Sequence, residues 1–189
     1  MTRHRIILPL LAALALGATA CASSGASGML APDAPRALAA GGPVSVAWAD
    51  PAGFAEFRFS SNRWAAAQGN WLQDLAEHMR SRAEQILPAG QRLELTIIDV
   101  DRAGEYEPAR QPQMQDARIV RDIYPPRMTV EFRRLDAAGN VLAEGQRRLT
   151  DPGFLTHASP FRSDDLLRFE KRIIDTWLRN EFRDLAATR

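Results

Sequence analysis

The alternation of apolar and polar residues predicts short strands along much of the chain. Residues 44–48 alternate large apolar and small side chains, and residues 93–100 (LELTIIDV) alternate apolar and polar ones. Residues 118–124 resemble a further strand, which Pro125-Pro126 ends because proline cannot donate a ladder hydrogen bond. A period of two is typical of strands with one buried face, so these segments are expected to cover a core.

Two longer segments have the spacing of helices. Residues 63–87 place apolar side chains at three- and four-residue steps, with Gly69-Asn70 as an expected interruption. On this spacing Trp64 and Trp71 share a face and are expected in the core. A final helix is expected to begin after Ser163, whose hydroxyl can cap it.

The remaining element is a hairpin, and it completes the fold prediction. Residues 128–135 and 141–149 flank a short glycine-containing loop, which favours a β-hairpin. The expected order is β-α-β-β-β-β-α. We therefore predict an α+β domain, with an antiparallel or mixed sheet of about five strands and two main helices packed on one face.

The N-terminus has the layout of an export signal. Arg3 and Arg5 precede an apolar run, Ile6–Leu16, and small residues follow as far as Cys21. This run is shorter than the roughly 20 residues that a spanning helix needs. We predict a signal peptide at residues 1–20 and an exported protein.

Cys21 is the only cysteine in the chain, and two interpretations of it stay open. In the first, Ala18-Thr19-Ala20-Cys21 is a lipobox and the acylated cysteine anchors the protein to a membrane. In the second, a general signal peptidase releases a soluble protein. Ala22 carries no acidic retention signal, so a lipoprotein of a Gram-negative cell is expected at the periplasmic side of the outer membrane.

Composition limits the partners of the mature chain. Residues 21–43 are rich in small residues, proline and glycine and predict a flexible tether after the cysteine. Residues 44–189 suit one domain. Loss of Arg3 and Arg5 with the signal takes the formal charge from +1 to about −1, so no nucleic-acid partner is expected. No cofactor is expected either.

An acidic segment is the first candidate site. Four carboxylates lie at and beyond the end of the 93–100 strand: Asp99, Asp101, Glu105 and Glu107. Oxygen ligands of this kind suit Ca²⁺ or Mg²⁺, although Ala103 and Arg110 at the fifth and twelfth positions exclude an EF-hand loop. The alternative is that these carboxylates pair with nearby arginines or accept backbone amides.

A basic segment is the second candidate site. Its members are Arg118, Arg121, Tyr124 and Arg127. Arginine forks match the geometry of carboxylate and phosphate groups, which predicts a surface for an anion or a protein partner. The alternative is an edge strand whose arginines are solvated or paired.

The two central segments also carry a family resemblance. The run from Asp99 to Pro108 and the run from Arg118 to Arg127 resemble the exported bacterial family of domain of unknown function 3016, as do Val46–Pro51, Glu170-Lys171 and Trp177. The resemblance covers residues 44–182. It implies an exported single domain and transfers no activity.

Three functions follow as hypotheses. The first is an exported, lipid-anchored accessory or binding module of the cell envelope, without catalytic activity, whose partner is an envelope protein. The second is a periplasmic domain that binds a small ligand or divalent cation through the acidic segment. The third is a hydrolase based on His78 or His157, for which Ser159 is a poor nucleophile because no triad or Gly-x-Ser-x-Gly motif surrounds it.

Overall fold

The computed structural model describes residues 28–108, 115–158 and 160–183. These residues form one four-stranded sheet in chain order: β1 (Val44–Trp48), β2 (Arg92–Asp101), β3 (Arg127–Leu135) and β4 (Val141–Thr150). β1 is parallel to β2, and the other neighbouring strands are antiparallel. The helices are α1 (Ala55–Arg58), α2 (Arg63–Ala66), α3 (Trp71–Glu84) and α4 (Arg168–Glu181). The predicted α+β class and the mixed sheet are confirmed.

The predicted alternation places one face of the sheet in the core. On β2, Leu93, Leu95 and Ile97 are buried, whereas Glu94 between them is exposed. β3 repeats this pattern and buries Met128, Val130 and Phe132. Burial of such side chains is the main favourable contribution to folding, so the register of the strands is fixed by which face is apolar.

Both long helices lie against this buried face. α3 packs on β1, α4 packs on β4, and the two helices contact each other. Phe132 of β3 meets Trp177 and Phe182 at ring-centre distances of 6.1 and 5.8 Å. The prediction of two main helices on one face is confirmed, and the interruption at Gly69-Asn70 separates α2 from α3.

The prediction of a fifth strand, at residues 118–124, was wrong. Residues 118–124 form only an isolated antiparallel bridge between Ile119 and Glu105, followed by a turn in which Tyr124 N–H donates to the carbonyl of Arg121. Apolar and polar residues do alternate in residues 118–124, but this segment does not pair with any strand of the described sheet. The side chain of Arg118 is instead drawn inward to a carboxylate.

Two predictions about the helices were also wrong. The final helix begins at Arg168 rather than after Ser163, because residues 163–167 form turns in which Asp165 accepts the backbone N–H of Leu167. Trp64 is 66% exposed, whereas Trp71 is buried. The turn at Gly69 breaks the helical spacing that would have placed both rings on one face.

Part of the expected tether is attached to the sheet. Leu38 N–H donates to the carbonyl of Val46, and Trp48 N–H donates to the carbonyl of Arg36, along the outer edge of β1. The Arg36 guanidinium also contacts Asp50 at 3.1 Å. The prediction of a flexible tether therefore does not hold for residues 36–38.

Candidate functional site

A buried carboxylate lies at the centre of the polar network that joins the loops after β2 to the helices. Glu56 of α1 lies in the sequence between the buried residues Phe54 and Phe57, and only 1% of its side chain is exposed. Arg118 holds it with two hydrogen bonds of 2.6 and 3.0 Å, and Arg102 adds a third of 2.7 Å. A buried carboxylate requires such pairing because desolvation of an isolated charge is costly.

Arg118 also organises the backbone around this pair. Its guanidinium donates to the carbonyls of Arg102, Ala103 and Gly104 at 2.7–2.9 Å. Burial lowers the pKa of Arg118, but the charge of Glu56 and its hydrogen bonds outweigh burial and raise the pKa above the usual value. The arginine is therefore charged, and each of its three guanidinium nitrogens donates a hydrogen bond within the protein.

Two aromatic rings enclose the arginines. The Arg102 guanidinium lies 4.5 Å from the centre of the Trp71 ring, and that of Arg118 lies 5.2 Å from the centre of the Tyr106 ring. Cations attract the faces of aromatic rings. Both arginine side chains are largely buried, and ion pairs are stronger there than in water.

A second buried carboxylate reaches the same loop from α4. Glu170 is 1% exposed, and its Oε1 accepts the N–H of Ala103 at 2.7 Å. Its Oε2 is buried with no hydrogen-bond partner among the described residues. Burial raises the pKa of Glu170, against the lowering effects of the Ala103 amide, Arg102 and Arg118. The protonated form is therefore favoured to a higher pH than in water.

Gly104 allows the loop after β2 to lie close to the loop that contains Ile119. Its φ of +85° lies in the left-handed region, and a Cβ there would come 2.8 Å from the carbonyl oxygen of Ile119. Two backbone hydrogen bonds between Glu105 and Ile119 then join the loops. A side chain at position 104 would meet backbone, which cannot move away cheaply.

The acidic candidates are placed on separate partners. Asp99 accepts the N–H of Ala55 at the start of α1, and Asp101 pairs with Arg127 at 3.0 Å. The other two have partners of their own: Glu105 accepts the N–H of Tyr106, and Glu107 pairs with Arg121. The described residues contain no group of three or more His, Cys, Asp or Glu side chains that could hold a metal ion. Cation binding by this segment stays a prediction.

The basic candidates are divided in the same way. Arg118 lies inside the network, whereas Arg121 and Arg127 are exposed and face Glu107 and Asp101. Tyr124 donates its hydroxyl to Glu107 at 3.2 Å. The two exposed arginines are thus matched by carboxylates of the acidic segment, whereas Arg118 is matched by Glu56. Binding of an anion or partner by these residues stays a prediction.

Three residues of the network were not predicted as site residues from the sequence: Glu56, Arg102 and Glu170. A signal was present for the two glutamates. Glu56 follows Phe54 and precedes Phe57, and Glu170 follows Phe169 in an apolar helix face. A carboxylate flanked by core residues is expected to need a buried partner. Nothing in the spacing identifies that partner.

A second polar cluster lines a groove of about 1070 Å³ between the end of β4, the following loop and α4. Asp151 contacts His157 at 3.0 Å and Arg172 at 2.7 Å. Beside it, Asp175 contacts His78 at 2.8 Å. No serine or threonine hydroxyl is bonded to either histidine in the hydrogen bonds of the described residues, and Ser159 lies outside them. The hydrolase hypothesis stays a prediction.

Within residues 28–108, 115–158 and 160–183, no helix is long and apolar enough to cross a membrane. These features define an α+β domain whose loops after β2 are fixed by buried ion pairs. The chain belongs to the family described as Protein of unknown function (DUF3016), whose sequence model matches residues 42–180. The expected resemblance is thereby confirmed.

Comparisons beyond the family add little. No curated protein matches the chain. Among solved structures, the crystal structure of a "putative lipoprotein" from Caulobacter crescentus CB15 at 2.40 Å resolution is similar, with 16% sequence identity and a TM-score of 0.34. The similarity covers 60% of this chain and 82% of that chain. A likeness of this size carries no argument about function.

Proposed function

We propose that this protein is a lipid-anchored accessory module of the cell envelope without catalytic activity. One observation carries the proposal: the only cysteine follows a basic and apolar leader directly, within Ala18-Thr19-Ala20-Cys21. Acylation would explain a single cysteine at that point, because several acyl chains on one residue anchor a protein stably to a membrane. The proposed location is the periplasmic side of the outer membrane, since Ala22 carries no acidic retention signal.

The buried network supports an accessory role. Its arginines would be the natural groups to bind a substrate anion, but Arg102 and Arg118 are both engaged with Glu56. Buried ion pairs of this kind specify one arrangement of the loops around them. We infer that the network holds a fixed surface for a protein partner of the envelope.

Acylation and fractionation test the anchor. Cells that make the full-length chain are labelled with a fatty acid, and membranes are separated. The wild-type chain is expected to carry the label and to sediment with the outer membrane, and Cys21→Ser is expected to lose both. Ala18→Leu, which supplies the leucine usual at that place of a lipobox, is the matched control and should keep both. Equal distribution of wild type and Cys21→Ser would contradict the anchor.

Crosslinking tests the accessory role. A partner is expected to co-purify with the acylated chain and to be lost with Cys21→Ser, because a leash raises the local concentration of both proteins at the membrane. A purified mature chain is expected to show no turnover in esterase, phosphatase and glycosidase assays. Turnover that disappears in His78→Ala or His157→Ala would overturn the proposal in favour of a hydrolase.

A further inference from the structure

An exposed segment next to the loop network combines aromatic and basic side chains. The segment Arg58–Trp64 has the sequence RFSSNRW and contains no acidic residue. Phe59 is 70% exposed and Trp64 is 66% exposed. Large aromatic rings are normally removed from water, so their exposure on a rigid element suggests a surface that another phase or molecule covers.

The two arginines of this segment, Arg58 and Arg63, are exposed to solvent and have no ion-pair partner among the described residues. The Arg58 guanidinium lies 5.0 Å from the centre of the Phe59 ring. Aromatic rings flanked by arginine match a lipid interface, where rings lie among the headgroups and cations contact phosphates.

Hydrogen bonds to neighbouring loops fix the backbone of this segment. The Ser61 hydroxyl donates to the carbonyl of Tyr106 at 2.5 Å, and Asn62 Nδ2 donates to Asp116 at 2.8 Å. The Asn62 side chain also accepts the N–H of Ala65, which caps α2. The exposed rings are thus presented by a fixed backbone, and little ordering is needed before contact.

The chain enters the domain on the same side. Gly28, the first described residue, lines a cavity of about 760 Å³ together with Gln68, Gly69 and Asn70. Gln68 in turn donates to the carbonyl of Trp64 at 2.9 Å. Seven residues lead from Cys21 to Gly28, and an extended chain of that length spans at most about 25 Å. An acyl group on Cys21 would therefore keep this side of the domain near the bilayer.

We propose that the Arg58–Trp64 segment rests on the surface of the membrane that holds the lipid anchor, with Phe59 and Trp64 among the headgroups and Arg58 and Arg63 on anionic phosphates. The inference depends on the proposed acylation of Cys21 for its biological setting. It orients the domain, because the segment faces the lipid.

Tryptophan quenching tests this contact directly. Of the four tryptophans, Trp48, Trp71 and Trp177 are buried and Trp64 alone is largely exposed. The full-length acylated protein is reconstituted in vesicles of phosphatidylethanolamine and phosphatidylglycerol that contain brominated acyl chains. Quenching is expected, and it should be lost in Trp64→Phe. The absence of quenching in the acylated protein would overturn the inference.

A vesicle-binding assay separates this inference from the anchor. The mature chain with Cys21→Ser is sedimented with the same vesicles. The double substitution Arg58→Gln/Arg63→Gln is expected to weaken binding about 30-fold, the loss expected for two surface charges.

The double substitution Phe59→Ser/Trp64→Ser should also weaken vesicle binding. Its control is Leu155→Ser/Leu166→Ser, which alters exposed leucines elsewhere and should leave binding unchanged. Equal loss in the leucine control would contradict the assignment.

The two proposals fail in distinguishable ways. If Cys21 carries no acyl chain but the Cys21→Ser chain binds vesicles through the segment, the contact stands and the anchor fails. If Cys21 is acylated and Trp64 is not quenched, the anchor stands and the contact fails. Sedimentation equilibrium that shows a dimer disrupted by Phe59→Ser would assign the segment to a second copy of the chain and overturn the lipid contact.

Discussion

Glu56 and Arg118 form a two-pronged ion pair across 62 residues of sequence, with hydrogen bonds of 2.6 and 3.0 Å. The glutamate lies on a four-residue helix and the arginine in a loop that forms no strand. Phe57 packs this short helix into the core beside the pair. The pair fixes the loops after β2 relative to the helical layer, because Arg118 also donates to three carbonyls of those loops.

The first prediction concerns this pair. Arg118→Gln removes the guanidinium and leaves Glu56 buried with one remaining cationic partner. We expect the free energy of unfolding to fall by about 3–5 kcal/mol, the usual cost of breaking a buried ion pair from one side. Urea unfolding of the mature chain with Cys21→Ser measures it.

Arg121→Gln is the matched control for that substitution. Arg121 lies three residues further along and pairs with Glu107, but more than half of its side chain is exposed. Exposed pairs contribute at most about 1 kcal/mol. Equal losses for the two arginines would contradict a special role for the buried pair.

The second prediction concerns Gly104. Gly104→Ala places a Cβ 2.8 Å from a backbone oxygen at a φ of +85°. We expect a loss of about 1–3 kcal/mol, as for other non-glycine residues forced into this conformation. Gly53→Ala is the control, because nothing lies within 4 Å of the added Cβ. Thermal unfolding of both variants compares them, and a stable Gly104→Ala would show that the loops can separate without cost.

The third prediction is a pH dependence from Glu170. Its pKa is raised in the folded state above the ordinary 4.5, chiefly by burial. The folded state therefore binds the proton more tightly, so the stabilisation is complete below about pH 4.5 and is lost as the pH rises through the folded pKa. Glu170→Gln keeps an acceptor for Ala103 and removes the titration.

Urea unfolding at several pH values measures this effect. The free energy of unfolding of wild type minus that of Glu170→Gln is expected to decrease as the pH rises from about 4.5 through the folded-state pKa. A difference that stays constant over this range would mean that Glu170 titrates equally in the folded and unfolded chains.

The fourth prediction concerns Asp175, whose pKa is shifted in the opposite direction from that of Glu170. Burial raises its pKa, but hydrogen bonding to His78 and the charges of His78 and Arg82 outweigh burial and lower it below 3.8. This stabilisation is present above about pH 3.8 and is lost as the pH falls through the folded pKa. Asp175→Asn is expected to lower stability at neutral pH by about 1–3 kcal/mol.

The acid limb of the stability curve checks that assignment. Asp175→Asn should show a shallower loss of stability below about pH 4 than wild type does. Asp164→Asn serves as its control, because Asp164 pairs with Arg162 at the surface and both side chains are well exposed. An identical acid limb for wild type and Asp175→Asn would contradict the role given to the His78 contact.

Local patterning was sufficient for most of the elements. The alternation in residues 93–100 and in the first arm of the hairpin predicts β2 and β3, because each of these strands buries one face against the helices. β4 follows from the hairpin pattern, since Leu149 is its only buried residue. The same reasoning failed at residues 118–124, where the alternation has no strand beside it. It also failed at Trp64, since a glycine turn separates α2 from α3.

The candidate site shows where sequence reasoning ends. Arg118 was singled out as a charged residue of a motif, but its partner Glu56 lies in a stretch without periodicity. Asp101 and Glu107 were grouped as one acidic cluster, whereas the structure gives each its own arginine. Residue type and spacing indicate that a charge needs a partner. They do not identify that partner when it is dozens of residues away.

The sequence by itself determined the single cysteine, the α+β class and the positions of the long elements, because these depend on composition and on short-range periodicity. Only the tertiary structure decided which charges are buried together, which aromatic rings remain exposed and where the chain enters the domain. Those properties arise from contacts between distant segments, such as Glu170 with Ala103. Their free energies depend on burial and distance, which exist only after the chain has folded.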